Sequence, residues 1–292
     1  MVWRRRTRHE APVPEALAVD DLAVGGADTP LLMLRGICKN FGPVHALVDV
    51  DLVVPAGMVT ALAGDNGAGK SVLIKTISGI WTPDKGQIYW NGEKVTIGSP
   101  REAASLGIDT VYQDLALCDN LDVVQNMFLG RERTRLSLLD EDAMELATGD
   151  TVDRLGVTTI RSIRQPVGSL SGGQRQAVAV ARSVMWNSRL VIMDEPTAAL
   201  GVTQTRLVLD LVKRLAADGI AVLVISHNLN DVFEVADRIA ILHLGKMASA
   251  GSIDEYDPQM VVEYMTTGRT SRSVCVPAQA SPDMGAKPVA EV

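Results

Sequence analysis

The sequence predicts an α/β fold, a mixed sheet flanked by helices with an inserted helical lobe, and three observations carry that prediction. Apolar runs of strand length at residues 58–63, 190–193 and 220–225 are separated by stretches of helical periodicity. Continuous apolar runs of this kind suit strands covered on both faces. The first of them passes directly into a helical stretch through a glycine-rich turn, Gly64-Asp65-Asn66-Gly67-Ala68-Gly69-Lys70-Ser71. Over about residues 115–185 the alternation gives way to helical segments joined by polar ones, as an inserted lobe would.

Taken in order, residues 31–38 and 47–54 read as strands, the second with Val48, Val50 and Leu52 alternating with the acids Asp49 and Asp51. The strand at 58–63 feeds a helix that runs to about residue 77. The turn Thr82-Pro83-Asp84-Lys85-Gly86 leads into a strand at 87–90, followed by a helix at 100–106 and a strand at 108–112. In the middle of the chain residues 121–129 and 140–155 read as helices, and 175–185 continues as a third. Residues 205–216 form the helix between the last two apolar strands, with Leu207, Leu209, Leu211, Val212 and Leu215 giving it a broad apolar side. Residues 1–30 mix Arg, Pro, Ala, Asp and Gly without periodicity, and 268–292 are rich in Ser, Pro, Ala and Gly. Both read as disordered, which leaves 31–267 as the folded unit. The four arginines at 4, 5, 6 and 8 read as part of a solvated tail.

Composition narrows the function. The chain has 292 residues, 47% hydrophobic and 22% charged, ordinary for a globular protein with a sizeable core. A net charge of −7 and a pI near 5.2 argue against a nucleic-acid binder. No apolar run reaches the ~18 residues of a membrane span. Residues 10–15 put Pro and Glu where an export signal would need an apolar core. Cys38, Cys118 and Cys275 stand singly, without metal or disulfide spacing, and read as reduced thiols.

Three motifs carry chemistry. The turn at 64–71 has two glycines four residues apart followed by Lys and Ser, between a strand and a helix, which is the P-loop pattern. Glycines let successive backbone N–H groups converge on phosphate oxygens, and the helix N-terminus adds a favourable dipole. Lys70 would reach the β- and γ-phosphates, and the Ser71 hydroxyl would ligate Mg²⁺. The second motif is the strand at 190–193 ending in Asp194 and Glu195, delivered to the sheet edge where the phosphate loop of a neighbouring strand opens. Asp194 is placed to hold Mg²⁺ and Glu195 to polarise a water against the γ-phosphate. The third, Leu170-Ser171-Gly172-Gly173-Gln174, opens a helix that Ser171 can cap, leaving glycine N–H groups for a second anion site.

With these motifs in this order, together with Gln113 and Ser226-His227-Asn228, the chain resembles the ATP-binding subunits of ABC transporters over most of its folded length. The resemblance implies a P-loop NTPase of ABC ATPase type. It implies that Phe41 stacks on adenine, that Gln113 contacts Mg²⁺ and water and senses the membrane subunit, and that His227 touches the γ-phosphate. Val72 departs from the usual hydroxyl residue and can offer the α-phosphate only its backbone N–H. Residues 64–69, 97–100, 126–132 and 197–201 are similar to the monosaccharide-import branch, where Gly201 also replaces the Asp of the wider family.

The resemblance implies an ATPase peripheral to the cytoplasmic face of the cell membrane, bound to membrane permease subunits. It would be served indirectly by an extracytoplasmic sugar-binding protein, and would power import of a small sugar as an ATP-dependent homodimer. Alternatives are a non-transport ATPase of the same family, an importer subunit for another small solute, and an ordinary P-loop kinase or GTPase. The last leaves the 170–174 motif and His227 without a role.

Overall fold

A computed structural model describes residues 29–157 and 159–269. Nearly all of the arm expected over 1–30 and of the tail expected over 268–292 lies outside them, as does Cys275. The described chain runs β1 (Leu32–Phe41), β2 (Val44–Val54), β3 (Val59–Gly64), α1 (Lys70–Ile77), β4 (Lys85–Trp90), β5 (Glu93–Val95), α2 (Pro100–Leu106) and β6 (Ile108–Val111). It continues through α3 (Val123–Phe128), the short hairpin β7 (Thr134–Arg135) and β8 (Leu138–Leu139), α4 (Glu141–Arg154) and α5 (Gly172–Val184). The last third comprises β9 (Leu190–Asp194), α6 (Val202–Ala217), β10 (Ala221–Ile225), α7 (Leu229–Val235), β11 (Arg238–His243), β12 (Lys246–Ser252) and α8 (Pro258–Thr267).

Two sheets organise these elements. The larger is mixed, in the order β12-β11-β3-β10-β9-β6, with β11, β3, β10, β9 and β6 parallel and β12 antiparallel at the edge. The smaller is antiparallel, in the order β2-β1-β4-β5. The Val48/Asp49/Val50/Asp51 alternation in β2 marks a strand with one wet face, which suits an antiparallel sheet.

Side chains alternate across a strand, and the central strands divide accordingly between two cores. Val59, Ala61, Ala63, Val191, Met193, Val222 and Val224 face the core built with α3, α5, α6 and α7. Leu62, Leu190, Ile192, Leu223 and Ile225 face the other, built with α1 and the antiparallel sheet. Each strand is therefore apolar on both faces, which is why its sequence reads as an unbroken apolar run.

The helix ends follow local chemistry. Ser99 caps α2 by accepting from the Glu102 N–H, Pro100 occupies the first turn, and Gly107 closes the helix in the left-handed conformation. Those signals are all local, so the helix falls at the 100–106 expected from sequence. Between β6 and β9, Asp122 and Gln125 form a capping box on α3, and Asp140 caps α4. Arg164 ties the two helices together through Asp122, Glu141 and Glu145. Buried Asn126 accepts from the Cys118 N–H and donates to the carbonyls of Cys118, Leu121 and Asp122, so a polar core residue is satisfied by fixing the loop before its own helix. No helix of the described residues is long and apolar enough to cross a membrane.

Candidate active site

The site forms where the parallel strands end. Leu62 of β3 and Asp194 of β9 both lie level with Ile225 of β10, so the segments leaving the three strands emerge side by side. One structural expectation needs correcting: β3 and β9 are not neighbours. Strand β10 lies between them, and it carries Ser226, His227 and Asn228 into the space between the 64–71 turn and the acids. On the far side of β9, Val111 of β6 pairs with Met193, which places the exposed Gln113 just beyond the same edge.

The 64–71 turn wraps the start of α1. Gly69 caps that helix at φ 103° with no side-chain cap. A Cβ there would stand 2.7 Å from the Ala46 carbonyl oxygen, so conformation and space both require glycine. The Lys70 ammonium, largely buried, donates to the carbonyls of Gly64 at 2.7 Å and Asp65 at 3.0 Å. With three donors on the ammonium, one remains for a ligand. Asn66, Gly67, Ala68, Gly69, Lys70, Ser71 and Val72 line an open cleft of about 460 Å³.

At the end of β9, Glu195 Oε1 lies 2.8 Å from His227 Nδ1. A carboxylate can only accept, so with Glu195 ionised the proton of this bond sits on Nδ1. The Glu195 side chain is 17% exposed and that of His227 65%. Glu195 itself lies at φ 49°, and its N–H is bonded to the Ile225 carbonyl, so β10 fixes the acid's backbone in an unusual conformation. Burial, and next the charge of Glu195, push the Asp194 carboxyl above the ordinary carboxylate range, with Lys70 and Lys75 opposing.

The segment after Gln113 is held from α5. Arg182 donates to the carbonyls of Leu115 and Ala116 at 3.2 and 3.0 Å. At the other end of α5, Ser171 and Gln174 form a capping box, and the Gln174 amide also donates to the Thr159 carbonyl at 2.6 Å. Gly172 and Gly173 meet the entry to α6: a Cβ on Gly172 would stand 2.9 Å from Leu200 Cδ2, just before the helix, and one on Gly173 2.9 Å from Gln204 Cβ in its first turn. None of residues 171–174 lines the 460 Å³ cleft. Phe41 does not line it either; it is 40% exposed and its ring packs edge-on against Trp81 at 4.7 Å.

Sequence reasoning did not single out Val44, His45 and Ala46 from β2, or Leu244 and Gly245 from the β11–β12 turn, all of which line the cleft. No motif marks them. They arrive there because the Gly245 N–H donates to the Ala68 carbonyl and the Val48 N–H to the Gly245 carbonyl, stitching three distant segments around the turn.

Comparison with known proteins fits this arrangement. The family model described as ABC transporter matches residues 47–198. The chain is 46% identical over 247 residues to a fructose import ATP-binding protein of Rhizobium meliloti, covering 82% of this chain and 95% of that one. It is 46% identical over 237 residues to a xylose/arabinose import ATP-binding protein of Sulfolobus acidocaldarius, covering 81% and 94%. Among solved structures it is similar to an ATP-binding cassette of an ABC transporter in its ADP conformation, at TM-score 0.70 and 27% identity, over 82% of this chain and 96% of that one. It is also similar to a dimeric post-hydrolysis cassette bound to ADP and Pi, at TM-score 0.63 and 25% identity, over 76% and 98%.

Proposed function

Because the chain belongs to the ABC transporter family of ATP-binding proteins, we propose that it hydrolyses ATP to drive import of a monosaccharide through a membrane permease on which it docks. The reading rests above all on the convergence of the 64–71 turn, Asp194-Glu195 and His227 at the ends of three adjacent parallel strands. The identity of the cargo class rests on the sugar importers it resembles along nearly their full length. An extracytoplasmic sugar-binding protein would deliver the sugar, and the subunit would sit on the inner face of the membrane.

In this reading the amides of residues 66–71 and the free donor of Lys70 hold the β- and γ-phosphates. Phe41, paired with Val44 at the end of the β1–β2 hairpin, offers its exposed ring to adenine. The residues fit a divalent cation. Asp194 carries a charge that burial disfavours and a cation would relieve, and Ser71 adds a hydroxyl at the cleft. Among the described residues no three or more His, Cys, Asp or Glu side chains form a metal cage, which suits an ion held chiefly by substrate phosphates. Mg²⁺ bound there, with Gln113 contributing from just beyond β6, would neutralise charge on the β- and γ-phosphates.

Glu195 then takes a proton from water as the water oxygen bonds to the γ-phosphorus. The bond to the β–γ bridging oxygen breaks, and its electron pair leaves with ADP. His227 orients the acid through Nδ1. Donating to the γ-phosphate through Nε2 while keeping that bond requires the imidazolium form.

One chain holds a single 64–71 turn and a single 171–174 start. Two chains in two-fold symmetry would each cover the other's γ-phosphate with Ser171, Gly172, Gly173 and Gln174. The direct test is Glu195→Gln in the permease-bound complex: ATP affinity should stay near normal while turnover falls by about 10²-fold or more. Near-normal hydrolysis in that variant would remove Glu195 from the chemistry.

A further inference from the structure

Two hairpin turns of this protein can be compared residue for residue. Between β4 and β5, Asn91 and Gly92 lie at φ 55° and 81°, with Trp90 and Glu93 paired on either side. Between β11 and β12, Leu244 and Gly245 lie at φ 45° and 79°, with His243 and Lys246 paired. Both are two-residue turns left-handed at each central position, the geometry for which Asn-Gly is the preferred pair. Asn91 obeys that preference. Leu244 does not, although a branched apolar residue in this conformation is strained.

The strain is not repaid by burial within the chain, since Leu244 is 73% exposed. What distinguishes its turn is position. Gly245 is bonded to the Ala68 carbonyl of the phosphate loop; Leu244 lines the cleft with Val44, itself 60% exposed, beside His45, Ala46 and Gly245, and phosphate-loop residues 66–72 line the other side. The polar part of the cleft suits phosphates and the apolar part suits the less polar half of a nucleotide.

We propose that Leu244 is a specificity-determining residue of the nucleotide site, forming with Val44 the apolar seat for the nucleoside of ATP. This rests on the reading that ATP occupies the cleft. Strain at a turn is then offset by apolar contact made only when nucleotide is bound.

The test uses the full chain with Mg²⁺, Leu244→Asn, and two probes by calorimetry: ATP, and inorganic tripolyphosphate, which has no nucleoside. The variant installs the residue that this turn geometry favours, so its melting temperature should equal or exceed that of the wild type. Its ATP affinity should fall by about fivefold, as partial loss of one leucine contact implies. Tripolyphosphate affinity should not change. Unchanged ATP affinity, or an equal loss for both probes, would overturn the assignment, the second outcome meaning that the turn merely shapes the phosphate loop. Failure of the wild type to bind ATP at all would overturn the underlying reading of the cleft, and this inference with it.

Discussion

The two glycine-flanked helix starts, of α1 and of α5, look alike in sequence and are built differently. Helix α1 begins at Gly69 with no side-chain cap, so its first amides have no acceptor from their own side chains. Helix α5 begins at Ser171, whose hydroxyl accepts from the Gln174 N–H while the Gln174 side chain accepts from the Ser171 N–H. The first start leaves its leading amides to the open cleft. The second has satisfied half of its needs and spends its glycines on close approach to α6. A glycine-rich helix start is therefore not one device: in α1 it opens onto a cleft, in α5 it makes room for another part of the same chain.

The largest effect should come from bringing the two starts together. Glu195→Gln with ATP should sediment as a dimer, because hydrolysis no longer releases the pair. Adding Ser171→Arg, a bulky cation at the α5 start, should return it to monomer with ATP still bound. A double variant that stays dimeric would mean the α5 start takes no part in the interface.

Next in size, Lys70→Ala should weaken ATP binding by about tenfold or more, the loss of a charge-assisted contact of ~1.5–3 kcal/mol. Equal ATP affinity in calorimetry would sink the comparison, because α1 would then be no more a ligand site than α5.

Gly173→Ala probes the other half of the contrast. A methyl 2.9 Å from Gln204 Cβ and 3.3 Å from its Cα forces α5 and α6 apart. Denaturant melts should show a loss of about 1–3 kcal/mol, with monomeric ATP affinity unaltered. The smallest effect is expected from Val72→Thr, which adds a hydroxyl inside the cleft and should tighten ATP and ADP by a few-fold at most. Weaker binding would indicate that packing of Val72 against the α1-side core outweighs the added donor.

How far the sequence reached differs by element. Helix α2 was legible to the residue because Ser99, Pro100 and Gly107 fix it locally. Helix α5 begins at Gly172, where the Ser171 cap read from sequence puts it, three residues before the periodic stretch at 175–185. The hairpin β7–β8 and strand β5 were too short to give a period, and β11, β12 and α8 were not read at all. The separate antiparallel sheet was foreshadowed only by the acids alternating in β2.

By itself the sequence determined the strands that would be buried, the glycine-rich turn between a strand and a helix at 64–71, and the acids that would end a strand. These depend on residue type and on spacing within about ten positions, where backbone geometry leaves few choices. Only the tertiary structure decided that β10 stands between the phosphate loop and the acids, which gives Glu195 its bond to His227. The same holds for Val44 and Leu244 at the cleft wall, 200 positions apart and joined through backbone bonds to the phosphate loop and β2. Strand order and loop-to-loop stitching are set by which buried faces and backbone donors find partners in the assembled core. That is a property of the whole fold, and no local stretch of sequence encodes it.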